Sequence, residues 1–504
     1  MLAKIYTGTL IGLRMALIEV EVDVARGERN IQIVGLPDPA IKEAKERILS
    51  AFRNTGISLG TGRKIINLAP ADIPKSGPSY DLPMAVGLLI SKGVLDIGLT
   101  KSKFFVGELA LDGSVRSVKG VLAMVEAAAK LGFEEIYVPH ENIMEGSFIP
   151  GANVLGVKSL KHLIEHFNGI STIQKTDSNK FIFENSQVKS NYDLLHVKGQ
   201  AKARRALEIA AAGGHNLLFS GVPGSGKTYM ARCLPTILPK MTVEESIEVT
   251  RIYSIAGKLQ DKVPLMAMRP FRTPHHTASQ VSMVGGGSNP KPGEVSLAHL
   301  GVLFLDEFPE FERSTLEVLR QPIEDGTVTI SRAMATIEYP AKFQLVAAMN
   351  PCPCGYLGDP NKECTCTEYQ RQLYKKRVSG PIIDRIDLKV QVYKVRYDEI
   401  SSTLPAESSF DVMKRVQNAR NIQNERFSLT VGGTNSQMSN IEVRKHIRLS
   451  KQSSMLLRRA VESFGLTARG YFRTLKVART IADLEGSIHV GSKHIAEALS
   501  FRIS

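Results

Sequence analysis

The 504-residue chain is expected to be a multi-domain α/β protein that closes in an all-α segment. Three observations point there. An apolar run, a glycine-rich loop and a helix-spaced stretch follow one another from Asn216 to Leu234. Strand-like and helix-like segments alternate through residues 1–168, and only helical spacing is left after residue 399. Strict alternation or a short apolar run marks a strand, whereas apolar positions three and four apart mark a helix.

The elements justify this in order. Ile18, Val20, Val22 and Val24 alternate with Glu19, Glu21 and Asp23, the pattern of a half-buried strand, so the N-terminal stretch does not read as a signal peptide. Asp38-Pro39 is an N-cap with proline at the first helical position; Ile41, Ala44, Ile48 and Phe52 continue the helix and Gly56 closes it. Lys64–Leu68, Lys103–Val106 and Glu135–Val138 read as strands and Val121–Leu131 as a helix. Residues 1–168 are therefore one α/β domain. Residues 169–190 lose the pattern and turn polar, as a linker does. A second α/β domain spans 191–398. In 399–504 the segments Asp411–Asn424, Ile441–Ile447, Ser450–Ser463, Arg469–Glu485 and Ser492–Ser500 are helical in spacing, an all-α lid.

Composition sets bounds on function. Hydrophobic content of 43% and charged content of 23% are ordinary for a globular protein. No apolar run approaches the roughly 18–20 residues that span a bilayer, so a cytoplasmic protein with no membrane partner is expected. The net charge of +14 includes a basic C-terminal stretch, with twelve Lys/Arg against five Asp/Glu from Asn440 onward. Such a face attracts polyanions or is simply solvated, and charge alone does not choose between them. The absence of Trp means that no base-stacking platform is advertised.

Gly221-Val222-Pro223-Gly224-Ser225-Gly226-Lys227-Thr228 meets every fixed position of the phosphate-binding pattern G-x-x-x-x-G-K-[ST], in the strand–loop–helix context the pattern requires. The glycines allow backbone N–H groups to turn inward around phosphates, and the helix N-terminus adds its dipole. Lys227 is expected to reach the β- and γ-phosphates of ATP, and the Thr228 hydroxyl to sit on Mg²⁺. About 80 residues on, Gly301-Val-Leu-Phe-Leu-Asp306-Glu307 is a buried strand ending in two carboxylates. Asp306 would hold Mg²⁺ through water and Glu307 would polarise the attacking water, since phosphoryl transfer needs positioning and charge neutralisation above all. A third apolar strand, Lys342–Ala348, ends at Asn350, which either contacts the γ-phosphate or is a satisfied loop amide. Arg385 stands too far along for local logic to place. A guanidinium supplied by a neighbouring subunit would stabilise transition-state charge.

Several stretches make a resemblance specific: VKGQAKARRALEIAAAGGHNLLFSGVPGSGKT, FRTPHHTAS, KPGEVSLAHLGVLFLDEFPEF, AAMNPCPCGYLGDP, SGPIIDRIDL and YFRTLKVARTIADLEG. Together they cover most of 192–485, and the sequence resembles the magnesium-chelatase-like AAA+ ATPases, within them the ComM/YifB family. The resemblance implies an AAA+ P-loop ATPase core with a helical lid, working as a ring, usually a homo-hexamer, with ATP sites between subunits. It gives Asn350 the sensor-1 role, Arg385 that of the arginine finger acting in trans, and Arg469 that of the sensor-2 arginine, with Arg473 its competitor. Related enzymes carry a pore-facing hairpin where Thr327–Glu338 stands. Arg332 at its tip either touches a DNA backbone or is a plain surface arginine. The loop Gly285–Gly293 is read as flexible and a second candidate to line the pore. His275 and His276 lie in a family motif but fit neither a metal site nor a catalytic dyad, and carry no assigned chemistry.

Four of the five cysteines, Cys352, Cys354, Cys364 and Cys366, fall in C-x-C-x₉-C-x-C. In a cytosolic chain this favours thiolate coordination over disulfides, and four sulfurs suit structural Zn²⁺. The C-x-C spacing strains chelation by both members of a pair, so free structural thiols compete with zinc. Cys233 reads as core.

In the N-terminal domain, Pro74-Lys-Ser-Gly-Pro-Ser79 is similar to the active-site segment of Lon-type serine proteases, and Gly107–Arg116 to the strand pair before their catalytic lysine. Alignment without gaps puts Leu122 where that lysine belongs, with Lys119 three residues early. Without a base Ser79 is a poor nucleophile, so a Lon-protease-like fold without peptidase activity is expected. The function the family resemblance implies is an ATP-dependent DNA motor, a helicase or branch-migration enzyme acting on branched or single-stranded DNA in recombination and natural transformation. The alternative is a chelatase-type subunit that remodels a metal-inserting protein partner.

Overall fold

A computed structural model describes the chain except residues 1, 28–29, 177–189, 260–264, 288–289, 333–334, 360–361, 379, 396–397, 400–405, 428–432 and 503–504. Most of the expected linker therefore lies outside the described residues. The chain forms two compact units, one of residues 1–186 with 243–266, the other of 187–242 with 267–504.

In the first unit seven strands form one mixed sheet, in spatial order Asn30–Val34, Arg63–Ala69, Arg14–Ala25, Ala3–Ile11, Lys103–Phe105, Glu135–Pro139 and Val154–Val157. Ala3–Ile11 and Arg14–Ala25 pair as a hairpin, and the alternation read from sequence sends Ile18, Val20 and Val22 inward, all fully buried. The helix Pro39–Asn54 starts as expected: the Asp38 carboxylate accepts the Ile41 N–H at 2.8 Å, and Ile41, Ala44, Ile48 and Phe52 are buried. Such a cap is worth about 1 kcal/mol.

Residues 243–266 correct the expected domain boundaries. Sequence spacing places them in the 191–398 core, yet the helix Val243–Ala256 packs on Val121–Lys130 in the first unit. Arg251 donates to Glu126 at 3.0 Å, and the Ser254 hydroxyl donates to buried Glu145. An insertion that leaves one domain to complete another keeps ordinary helical spacing, so nothing local in sequence betrays it. Leu122 is fully buried in this unit, and an alkyl group cannot deprotonate Ser79. Lys119 lies against Gly257, and the buried Lys75 amine donates to the Pro70 carbonyl.

The second unit holds a five-stranded, all-parallel sheet in the order Phe271–Arg272, Val302–Leu305, Gln344–Met349, Leu217–Gly221, Leu388–Val392. The lid helices Ser409–Arg426, Asn440–His446, Lys451–Phe464, Ala468–Leu484 and Ser492–Ser500 form no separate body. Val412, Val416, Leu475, Ile481 and Ile495 share one buried cluster with the sheet residues Leu217, Phe219 and Val390. A buried carboxylate pins this helical layer. Asp483 accepts from Arg426 at 2.9 Å, from Arg479 at 3.1 Å and from Asn435 at 2.7 Å. Asp483→Ala leaves two guanidinium groups without their counter-charge and is expected to cost about 3–5 kcal/mol in urea unfolding. A loss under about 1 kcal/mol would show that the network does not hold the lid.

Candidate active site

Parallel strands share one direction, so their C-terminal ends lie along one edge of the sheet, where ligands of open α/β folds bind. The strand Leu217–Gly221 ends in the phosphate loop, Val302–Leu305 in Asp306 and Glu307, and Gln344–Met349 in Asn350. Residues distant in sequence thereby become neighbours. The Lys227 amine donates to the Gly221 and Val222 carbonyls at 2.7 and 2.9 Å and to Asn350 Oδ1 at 3.3 Å. Burial pushes this amine below its ordinary value, while the charge of Asp306 works against that shift. The Thr228 hydroxyl donates to Asp306 at 2.7 Å. Gly226, at φ 89°, caps the helix Lys227–Ile237 in a conformation closed to most side chains.

These residues fit the groups expected of them. A hydroxyl and a carboxylate oxygen in contact are the hard oxygen donors that Mg²⁺ takes. A buried ammonium on neutral carbonyls beside a helix N-terminus suits an anion.

Glu307 is more than half exposed and has a left-handed backbone, φ 51°, rare for a residue with a side chain and concentrated at functional sites. Its carboxylate lies 3.3 Å from His276 Nδ1. The His276 ring lies 4.1 Å from the His275 ring, tilted by 33°, and His275 contacts Thr277 at 2.9 Å. Sequence reasoning missed this role. The signal was the position of the histidines just after Phe271–Arg272, the strand beside Val302–Leu305, and only sheet order makes the two adjacent.

Arg385 stands apart. It precedes the strand Leu388–Val392, which pairs in register with Leu217–Gly221, so it lies at the edge opposite the phosphate loop. Glu324 holds it at 2.5 Å and also holds Arg469 at 3.3 Å. Arg473 is instead 3.2 Å from Asp387, a buried carboxylate. Burial works to raise Asp387, but the hydrogen bond of His215 and the charge of Arg473 keep it below the usual carboxylate range. Of the two competing lid arginines, Arg473 is thus tied to an internal carboxylate, and Arg469 is half exposed beside Arg385.

The expected hairpin exists: Thr327–Arg332 pairs with Ala335–Pro340. Its tip and the Arg332 side chain lie outside the described residues. Gly285–Gly286 pairs with Lys291–Pro292, so the loop read as flexible is a second small hairpin, and the Tyr339 hydroxyl donates to the Pro290 carbonyl at 2.8 Å to join the two. The four cysteine sulfurs of the cluster lie within 4.8 Å of one another. No helix among the described residues is long and apolar enough to cross a membrane.

A five-stranded parallel sheet with a phosphate loop, an acidic pair and a polar strand tip on one edge, followed by a helical lid, defines a P-loop protein of the AAA+ class. Comparison with known families agrees: residues 193–400 match "Magnesium chelatase, subunit ChlI", residues 20–142 match "Subunit ChlI of Mg-chelatase", and residues 406–502 match its C-terminal region. The chain is 41% identical to competence protein ComM of Haemophilus influenzae, over 99% of this chain and 97% of that one. It is 41% identical to YifB of Escherichia coli, with the same coverage. A stretch of 165 residues is 26% identical to Lon protease 2 of Bacillus subtilis, 29% of each chain. The chain belongs to the ComM/YifB family of magnesium-chelatase-like AAA+ proteins.

Proposed function

We propose that this protein is a ring-forming ATPase, a homo-hexamer, that moves branched DNA during recombination and the uptake of transforming DNA. The observation that carries the ATPase reading is the convergence of Lys227, Thr228, Asp306, Glu307 and Asn350 on one sheet edge. Lys227 binds the β- and γ-phosphates, Thr228 and Asp306 hold Mg²⁺, and Asn350 positions the γ-phosphate. Bound Mg²⁺ neutralises phosphate charge. Glu307 orients the attacking water and accepts its proton. Arg385 acts on the ATP of the adjacent subunit, with Arg469 beside it.

The DNA reading is supported by 41% identity to a competence protein over nearly the full length of both chains, by the net charge of +14, and by two joined hairpins in the second unit, one of them carrying Arg332. A synthetic four-way junction with ATP tests it. Wild type is expected to resolve the junction, and Glu307→Gln to bind it without moving it. No movement by wild type, together with an ATPase indifferent to DNA, would remove DNA as the substrate.

His276 positions Glu307. His276→Ala is expected to lower kcat about tenfold, ~1.4 kcal/mol, with KM for ATP unchanged, and His276→Asn to restore part of it. A change in KM alone would show a binding role instead.

A further inference from the structure

The four clustered cysteines have a defined geometry. Cys352 Sγ lies 3.4 Å from Cys354 Sγ and 3.6 Å from Cys364 Sγ, and Cys354 Sγ lies 3.6 Å from Cys364 Sγ. Disulfide sulfurs bond at about 2.05 Å. Four sulfurs around zinc at about 2.3 Å define a tetrahedron with edges of roughly 3.8 Å, close to what is seen. The C-x-C spacing therefore does not keep the paired sulfurs from converging. A donor meets a sulfur as it would meet a thiolate: the Cys354 N–H donates to Cys366 Sγ at 3.3 Å. The Arg371 guanidinium, 3.6 Å from Cys364, supplies positive charge to a site that four thiolates and one Zn²⁺ would leave at −2.

The loop that carries these sulfurs touches the nucleotide site on two sides. Gly355, at φ 85°, packs so closely on the phosphate loop that a Cβ there would stand 2.8 Å from Pro223 Cγ. Cys352 follows Asn350 by two residues. The helix Glu368–Arg377 begins directly after Cys366, with Thr367 and Gln370 forming its capping box. From that helix the buried Tyr374 hydroxyl faces the Asn350 backbone N–H, and Arg377 pairs at 2.9 Å with Glu310, three residues past Glu307.

We propose that the four cysteines bind one Zn²⁺ as a closed tetrathiolate and that this metal is a strut of the ATP site, fixing Pro223 and Asn350. The strut rests on the ATP-site reading above; the metal site does not. Metal content of the purified full-length protein and its affinity for a fluorescent non-hydrolysable ATP analogue test both parts. One zinc per chain is expected in wild type and none in Cys364→Ser. Chelated wild type and Cys364→Ser should bind the analogue about tenfold more weakly, with cooperative thermal unfolding retained. Gly355→Ala should keep its zinc and still lose affinity, because the added methyl displaces Pro223; it carries the test even if Cys364→Ser fails to fold. Wild type that neither contains nor takes up zinc would overturn the metal site. Stoichiometric zinc whose removal leaves analogue affinity unchanged would overturn the strut. Zinc-loaded wild type that binds no nucleotide would overturn the ATP reading and the strut together, and leave the metal site standing.

Discussion

Arg385→Ala is expected to lower ATP turnover by about 10³- to 10⁵-fold, the range an arginine finger supplies, while ATP still binds. The argument is geometric. Arg385 precedes the strand Leu388–Val392, and the phosphate loop follows Leu217–Gly221, the strand beside it in register. Five residues at ~3.3 Å each put at least about 16 Å between Arg385 and its own phosphate loop. That exceeds the reach of a guanidinium, so a role in hydrolysis requires a neighbour's nucleotide. Within one chain Glu324 accepts both Arg385 and Arg469, gathering the two cations at one place on that edge. Mixing decides between trans and cis action. Inactive Arg385→Ala chains combined with inactive Lys227→Ala chains should recover part of the wild-type rate, because some interfaces then pair an intact Lys227 with an intact Arg385. No recovery in mixtures that do form rings would rule out action in trans.

Glu307→Gln is expected to lower kcat for ATP by about 10²- to 10⁴-fold, the span of general-base contributions, with nucleotide affinity within about threefold of wild type. Glutamine keeps the shape of the side chain but cannot take a proton from water. Lys227, Thr228 and Asp306 do not depend on Glu307, so binding should survive. Single-turnover phosphate release separates the two quantities. A variant that turns over at nearly the wild-type rate would remove Glu307 from its role and direct attention to Asn350.

The local elements were legible because their causes are local. Asp38 with Pro39 announces a helix start, alternation through Ile18–Val24 announces a strand with one buried face, and Gly221–Thr228 between an apolar run and a helix-spaced stretch announces a phosphate loop. The same holds for the acidic pair after Val302–Leu305, since a buried strand and its polar end are adjacent in the chain. His276 shows the other kind of feature. Nothing in FRTPHHTAS says what the histidine meets, because its partner belongs to a strand 30 residues away and only the order of strands brings the two within 3.3 Å. The choice between Arg469 and Arg473 was likewise open in the chain, as both sit at the start of one helix. In the fold the two face different carboxylates, Arg469 Glu324 and Arg473 the buried Asp387.

Chemistry that needs a short run of residues in fixed order was thus already present in the primary structure: the phosphate loop, the strand-end carboxylates, the helix caps and the spacing of the four cysteines. Three matters waited on the folded chain. The helix Val243–Ala256 completes the first unit instead of the nucleotide core. Arg385 is carried to the edge away from its own phosphate loop. The sulfurs of Cys352, Cys354 and Cys364 converge, beside a glycine in contact with Pro223. Each depends on burial and strand order between segments far apart along the backbone, and propensity and spacing act only over a few residues.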